Sequence, residues 1–208
     1  MVKCYGPCMS LGASGTLADT VTFATWKGRP YARQRVVPSN PKSALQVAMR
    51  AMMKFLSQAW TDVGSTPQGS WDELAAAGQY SAFNAFVSKN MMLWREFTAP
   101  SQTYPNPGTG VEPVLTLDSA TGGDGHADLT ITVSTLNDVW GLAIFRSPTG
   151  TFTPSLSNCI AVIPVDATGT LVYTDSGLAA GDYWWDAKSL STEGVLGADE
   201  GEVTCTVT

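Results

Sequence analysis

The 208-residue sequence predicts an α+β N-terminal unit, a β-hairpin plus three helices, followed by an all-β sandwich of two antiparallel sheets. Three observations carry that prediction. Near residue 100 the spacing of apolar residues changes from helical to alternating, a Pro/Gly-rich stretch occupies the change, and the charge reverses sign across it. With 44% hydrophobic and 14% charged residues, the composition is that of a folded chain and excludes general disorder.

In the first part, residues 20–26 and 29–37 alternate as strands do and flank Lys27-Gly28, a two-residue hairpin turn. Pro38-Ser-Asn-Pro41 stops the second strand. Ser43-x-x-Gln46 is a capping box for a helix whose Leu45, Met49, Met52, Leu56, Ala59, Trp60 and Val63 share one face. Ser70-x-x-Glu73 opens a short second helix that ends by Gly78. Ser81 opens a third, with Phe83, Phe86, Val87, Met91, Trp94 and Phe97 on its apolar side. Residues 98–113 contain four prolines and two glycines and read as a stiff, extended linker. The expected domains are therefore 1–99, a linker over 100–113, and 114–208.

Beyond the linker, residues 114–117, 129–133, 141–146, 160–165, 170–173, 183–189 and 203–207 give seven short strands with Gly/Asp/Thr-rich turns, the strand count of an immunoglobulin-like sandwich. Gly181 ends the turn that feeds the strand from Tyr183. Alternation places Tyr183, Trp185 and Ala187 on the core face, and Trp184, Asp186 and Lys188 on the other.

Residues 1–100 hold ten Lys/Arg against five acids, a net +5, and residues 101–208 hold two against thirteen, a net −11. Such asymmetry predicts a basic half that meets an acidic surface and an acidic half left in solvent. The basic residues concentrate at Trp26-Lys27-Gly28-Arg29-Pro30-Tyr31-Ala32-Arg33-Gln34-Arg35. An extended backbone puts Arg29, Tyr31, Arg33 and Arg35 on one face, and so many guanidiniums on a short strand repel one another unless acids or phosphates meet them. Trp26, Lys27, Arg29, Tyr31, Arg33 and Arg35 are thus the expected partner interface. Trp184 is a candidate exposed contact, set against a ring that lies on neighbouring strands, which is the commoner outcome. DNA is disfavoured as the partner, because the chain is acidic overall and no helix carries a basic run suited to a groove.

No catalytic group, cofactor or metal is expected. His126, the only histidine, lies in a glycine-rich hairpin loop, so no serine or cysteine has a placed base. Asp118, Asp124 and Asp128 lack the regular spacing of a calcium loop. Cys4 and Cys8 read as ordinary thiols, since two further zinc ligands are missing nearby. Cys159 and Cys205 both fall on strands and could face each other, but a reducing compartment disfavours a bridge. No apolar run reaches the ~20 residues of a membrane span, and the start lacks the apolar stretch of a signal peptide, so synthesis in a cytoplasm is expected.

Residues 112–208 resemble fibronectin type III modules: Ala143-Ile-Phe-Arg-Ser147 looks like strand C, and Tyr173-x-Asp175-x-Gly-Leu178 with Tyr183-x-Trp185-x-Ala187 looks like strands E and F. The strand B tryptophan has no counterpart, and Trp140 at the start of strand C is the candidate to replace it. The first half resembles small structural proteins of tailed bacteriophages. The shared pattern reads here Gly12-Ala-Ser-Gly15, Trp26-Lys-Gly28, Arg33 and Asn40-Pro41-Lys-Ser43-Ala-Leu-Gln46-Val-Ala-Met-Arg50, followed by Trp60, Trp71 and Phe83-Asn84-x-Phe86. The resemblance implies a virion component, present in several copies and contacting other virion proteins. A basic anchor with an acidic outward sandwich suits a capsid decoration or cement protein. A neck or tail component, or a module that binds a host-surface glycan or protein through the sandwich, is the alternative.

Overall fold

The computed structural model describes residues 2–3, 14–37, 39–109, 115–136 and 138–208, and the chain divides into two units, 1–41 and 42–208. In the first unit, β1 (Val2–Lys3), β2 (Gly15–Leu17), β3 (Val21–Trp26) and β4 (Arg29–Gln34) form one antiparallel sheet in the order β1-β4-β3-β2. Lys27 (φ 49) and Gly28 (φ 74) both take left-handed backbone. That is the geometry of the primed turns whose twist suits a two-residue hairpin, and it joins the paired residues Trp26 and Arg29 as expected. None of the described residues between Ser14 and Pro41 is buried.

The second unit contains α1 (Ala44–Ala59), α2 (Ser65–Gly69), α3 (Asp72–Gly78), α4 (Ala82–Arg95) and seven strands. These are β5 (Leu115–Gly123), β6 (His126–Val133), β7 (Val139–Ser147), β8 (Cys159–Pro164), β9 (Gly169–Ser176), β10 (Gly181–Ser191) and β11 (Val203–Val207). They form a three-stranded sheet β5-β6-β9 and a four-stranded sheet β11-β10-β7-β8, antiparallel throughout. Leu117, Leu129, Ile131, Leu142, Ile144, Trp185, Ala187 and Val207 from both sheets share one core, so the two sheets make a sandwich of the immunoglobulin-like kind. The predicted seven strands are all present.

The helices pack on the outer face of the four-stranded sheet. Ala48, Met52, Phe55, Leu56, Phe86 and Trp94 share a second core with Trp140, Ala143, Phe145, Cys159, Val162 and Leu190. The β7–β10 register passes from Gly141↔Leu190 to Val139↔Ser191 and skips Trp140. This bulge re-aims Trp140 toward the helices, where its ring meets Phe55 edge-on at 4.9 Å. Gly141 lets that contact form: a Cβ there would lie 2.6 Å from Phe55 Cζ. Trp140 therefore does not replace the missing tryptophan of the sandwich core. Trp185 fills it.

The expected boundary at 100–113 is not where the units divide. Ser101 is fully buried, its N–H donating to Asn90 Oδ1 (2.8 Å) and its carbonyl accepting from Asn90 Nδ2 (2.9 Å). Trp71 Nε1 donates to the Gln102 carbonyl (2.8 Å), while the Gln102 and Gly108 N–H groups donate to the carbonyls of Thr192 (2.8 Å) and Glu193 (3.0 Å). Backbone groups of Ser101, Gln102 and Gly108 are thus hydrogen-bonded to both the helical part and the sandwich, which ties the two together. Residues 110–113, and Val114 at the expected start of the first strand, lie outside the described residues. The expected grouping of hairpin with helices is likewise replaced by helices with sandwich.

Candidate functional site

The first sheet gathers five of the six expected interface residues on one side of the hairpin. Strand alternation puts Arg29, Tyr31 and Arg33 on one face, and the register sets them opposite Trp26, Ala24 and Thr22. The Thr16 and Thr22 hydroxyls, 3.2 Å apart, extend that face onto β2. Trp26 is 63% exposed, and Lys27 Nζ lies 4.9 Å from its ring centroid. A cation over an indole in water is a weak contact, so the ring remains available. Arg35 departs from the expectation: it follows the end of β4, and its guanidinium pairs with Asp19 in the β2–β3 turn. That arginine is already neutralised.

Trp184 is half-buried, the commoner of the two outcomes expected for it, its indole lying against Gly150, where a Cβ would come within 2.9 Å of Nε1. Asp186 also departs from the expected exposed face. It is 3% exposed and accepts from the Ala187 N–H at 2.6 Å. The reason is the β10–β11 connection, which folds back on β10: the Glu200 N–H donates to the Ala187 carbonyl, and Lys188 Nζ reaches the Gly197 carbonyl (3.1 Å) and Asp199 Oδ1 (2.6 Å).

Burial holds the Asp186 carboxyl above its ordinary value, with the Asp199 carboxylate adding to the rise; the Ala187 and Glu200 backbone groups and Lys188 act the other way. A raised folded-state pKa means that the protonated form is favoured on folding. Its contribution is complete below the unfolded value of 3.8 and is lost as pH rises through the folded one. Asp186→Asn should therefore remove a destabilising pH dependence over that window. Chemical denaturation at several pH values is the check, and a variant with the wild-type pH profile would rule the assignment out.

The remaining chemistry-bearing residues are apart. His126 Nδ1 is 3.0 Å from the Asp124 carbonyl, in the β5–β6 turn. Asp118 and Asp128 accept separately from Thr132 (2.7 Å) and Thr174 (2.6 Å) hydroxyls. Among the described residues, no group of three or more His, Cys, Asp or Glu side chains gathers. Cys4 and Cys8 lie outside the described residues. Cys159 and Cys205 are free and sit on β8 and β11, the two opposite edges of one sheet. Burial pushes the Cys159 thiol up to about 12, which leaves it protonated and inert. No described helix is long and apolar enough to cross a membrane.

No protein-family model matches the chain, nor does any curated protein. Among solved structures, a β-1,2-glucanase from Parabacteroides distasonis is 18% identical with a TM-score of 0.40, over 50% of this chain and 14% of that one. The FN1-FN3 domains of chicken CNTN1 are 18% identical with a TM-score of 0.30, over 48% and 35%. The PKD domain of an M14-like peptidase from Thermoplasmatales archaeon SCGC AB-540-F20 is 14% identical with a TM-score of 0.27, over 47% and 91%. Likeness at this level says nothing about activity, and the sandwich assignment rests on the strand order above.

Proposed function

We propose that this chain is a non-enzymatic structural protein of a tailed-bacteriophage virion, a capsid decoration protein that docks through its N-terminal sheet on an acidic surface of a neighbouring virion protein. The observation that carries the reading is a four-stranded sheet with no buried described residue between Ser14 and Pro41, one face of which bears Trp26, Arg29, Tyr31 and Arg33. A sheet needs a covered apolar face for independent stability, and a partner surface would supply the cover that the described residues of this sheet lack. Charge selects that partner. Residues 1–41 hold five basic groups against one acid, while residues 42–208 hold seven against seventeen, a distribution that favours acidic protein and repels a nucleic acid from the larger unit. The resemblance of residues 12–86 to phage structural proteins is the ground for taking that partner to be another virion protein.

The test is co-sedimentation with particles that lack the protein. Arg29→Glu with Arg33→Glu should weaken association by ~2–5 kcal/mol, because charge-assisted bonds become repulsions at a partly desolvated contact. Asp166→Lys, on an exposed loop of the second unit, should leave it unchanged. A folded double variant that still sediments like the wild type would place the docking surface elsewhere.

A further inference from the structure

Within the second unit, an open groove of about 390 Å³ runs between α1 and the outer edge of β8. Its lining includes Val47, Arg50, Ala51 and Lys54, spaced as one stripe of α1, with Lys42 just before the helix. Ile160, Ala161, Val162 and Ile163 of β8 form the strand side, and Tyr173 of β9 the far wall. Three of the ten lining residues are basic and none is acidic, in a unit that is otherwise strongly acidic.

The strand itself is unpartnered on this side. β8 ends its sheet and pairs only with β7 among the described residues. The Val165 N–H donates to the Trp140 carbonyl at 3.1 Å, which makes Gly141↔Pro164 a non-hydrogen-bonded pair. By alternation, Leu142↔Ile163 and Ile144↔Ala161 are the bonded pairs, and Val162 turns its N–H and C=O outward, toward the groove. Proteins commonly block such an edge with charges or proline on the strand. Here Cys159–Pro164 carries no charge and its proline comes last; the cations stand across the gap, on and beside α1. They rim the edge rather than block it.

We propose that this groove captures an extended acidic segment of a partner protein, which adds as a strand to β8 and sets its carboxylates against Lys42 and Lys54. Backbone bonds to the edge supply affinity, and alternate side chains supply selection. The segment's alternate acids meet the two lysines while the intervening residues face Tyr173.

The probe is a fluorescein-labelled, N-acetylated peptide of about eight residues alternating valine and glutamate, titrated into the full chain by anisotropy. Saturable binding is expected, weakened about tenfold or more by Lys42→Glu with Lys54→Glu. Both lysines are exposed, and circular dichroism checks that the variant is folded. Methylating alternate peptide nitrogens should weaken binding comparably, because it removes the strand-pairing donors and keeps the charge. Arg29→Glu with Arg33→Glu should leave peptide binding intact, which separates this groove from the N-terminal sheet. The proposal is overturned if the peptide does not saturate, if its valine–lysine counterpart binds as well, or if the lysine variant or the methylated peptide behaves like the unmodified pair. Saturable binding of dodecanoate without binding of the peptide also overturns it, in favour of a site for an anionic amphiphile.

Discussion

Replacing Asp175 by alanine is expected to remove about 3–5 kcal/mol of unfolding free energy. Asp175 is 6% exposed on β9, and both its oxygens accept from Arg146 Nη1 of β7, at 3.0 and 2.8 Å. Trp185 Nε1 of β10 donates to the same carboxylate at 3.0 Å, and the Arg146 guanidinium lies 5.7 Å from the Tyr183 ring centroid. One carboxylate thus fastens the three-stranded sheet to the four-stranded one. Its removal strands a largely buried guanidinium and a buried indole N–H, each of which was solvated in the unfolded chain. The converse substitution behaves differently: Asp175→Leu with Arg146→Met should recover much of the loss, because an apolar pair of similar volume avoids the desolvation of two ions. Urea unfolding decides it. A midpoint shift at constant slope measures the change, and an Asp175→Ala protein within about 1 kcal/mol of wild type would show that the clamp contributes little beyond its packing.

The sandwich was legible in the sequence because its strands alternate and its turns are built from Gly, Asp and Thr, so period and punctuation agree. The hairpin was legible for the same reason: Lys27-Gly28 supplies the left-handed turn, and alternation gathers Arg29, Tyr31 and Arg33. What alternation concealed was the helix layer. Val139-Trp-Gly-Leu-Ala-Ile-Phe145 is an uninterrupted run in which all seven residues are buried. A strand with one face in water would have alternated, so that run was the available signal that both faces of β7 are covered. Two other differences come from tertiary contacts that no local pattern encodes. The Ser70 hydroxyl, expected as a cap, donates to the Pro67 carbonyl (2.6 Å) and accepts from the Tyr104 N–H (2.9 Å). Arg35 meets Asp19 across 16 residues of chain, a pairing that depends on how the β2–β3 turn folds rather than on strand periodicity.

The shared core has a consequence for dissection of the chain. A fragment of residues 115–208, which holds every strand of the sandwich, is expected to be insoluble or to lose fixed packing, whereas residues 42–208 should fold. Without the helices, Trp140, Ala143, Phe145, Cys159, Val162 and Leu190 lose their cover. A tryptophan and a phenylalanine bury about 150–250 Å² each, so these two alone forfeit about 8–12 kcal/mol at ~25 cal/mol per Å², an upper bound. That is comparable to the entire stability of an ordinary domain, about 5–15 kcal/mol. The sandwich core proper, from Leu115 to Val207, is intact in both fragments, so any difference between them reports the helix-facing side of the sheet. Near-ultraviolet circular dichroism and dye binding provide the comparison, since lost packing with retained strand content gives a weak aromatic signal and strong dye fluorescence. If residues 115–208 instead unfold cooperatively with no dye binding, the helices are dispensable and the sandwich is a free-standing domain beginning after the proline-rich segment.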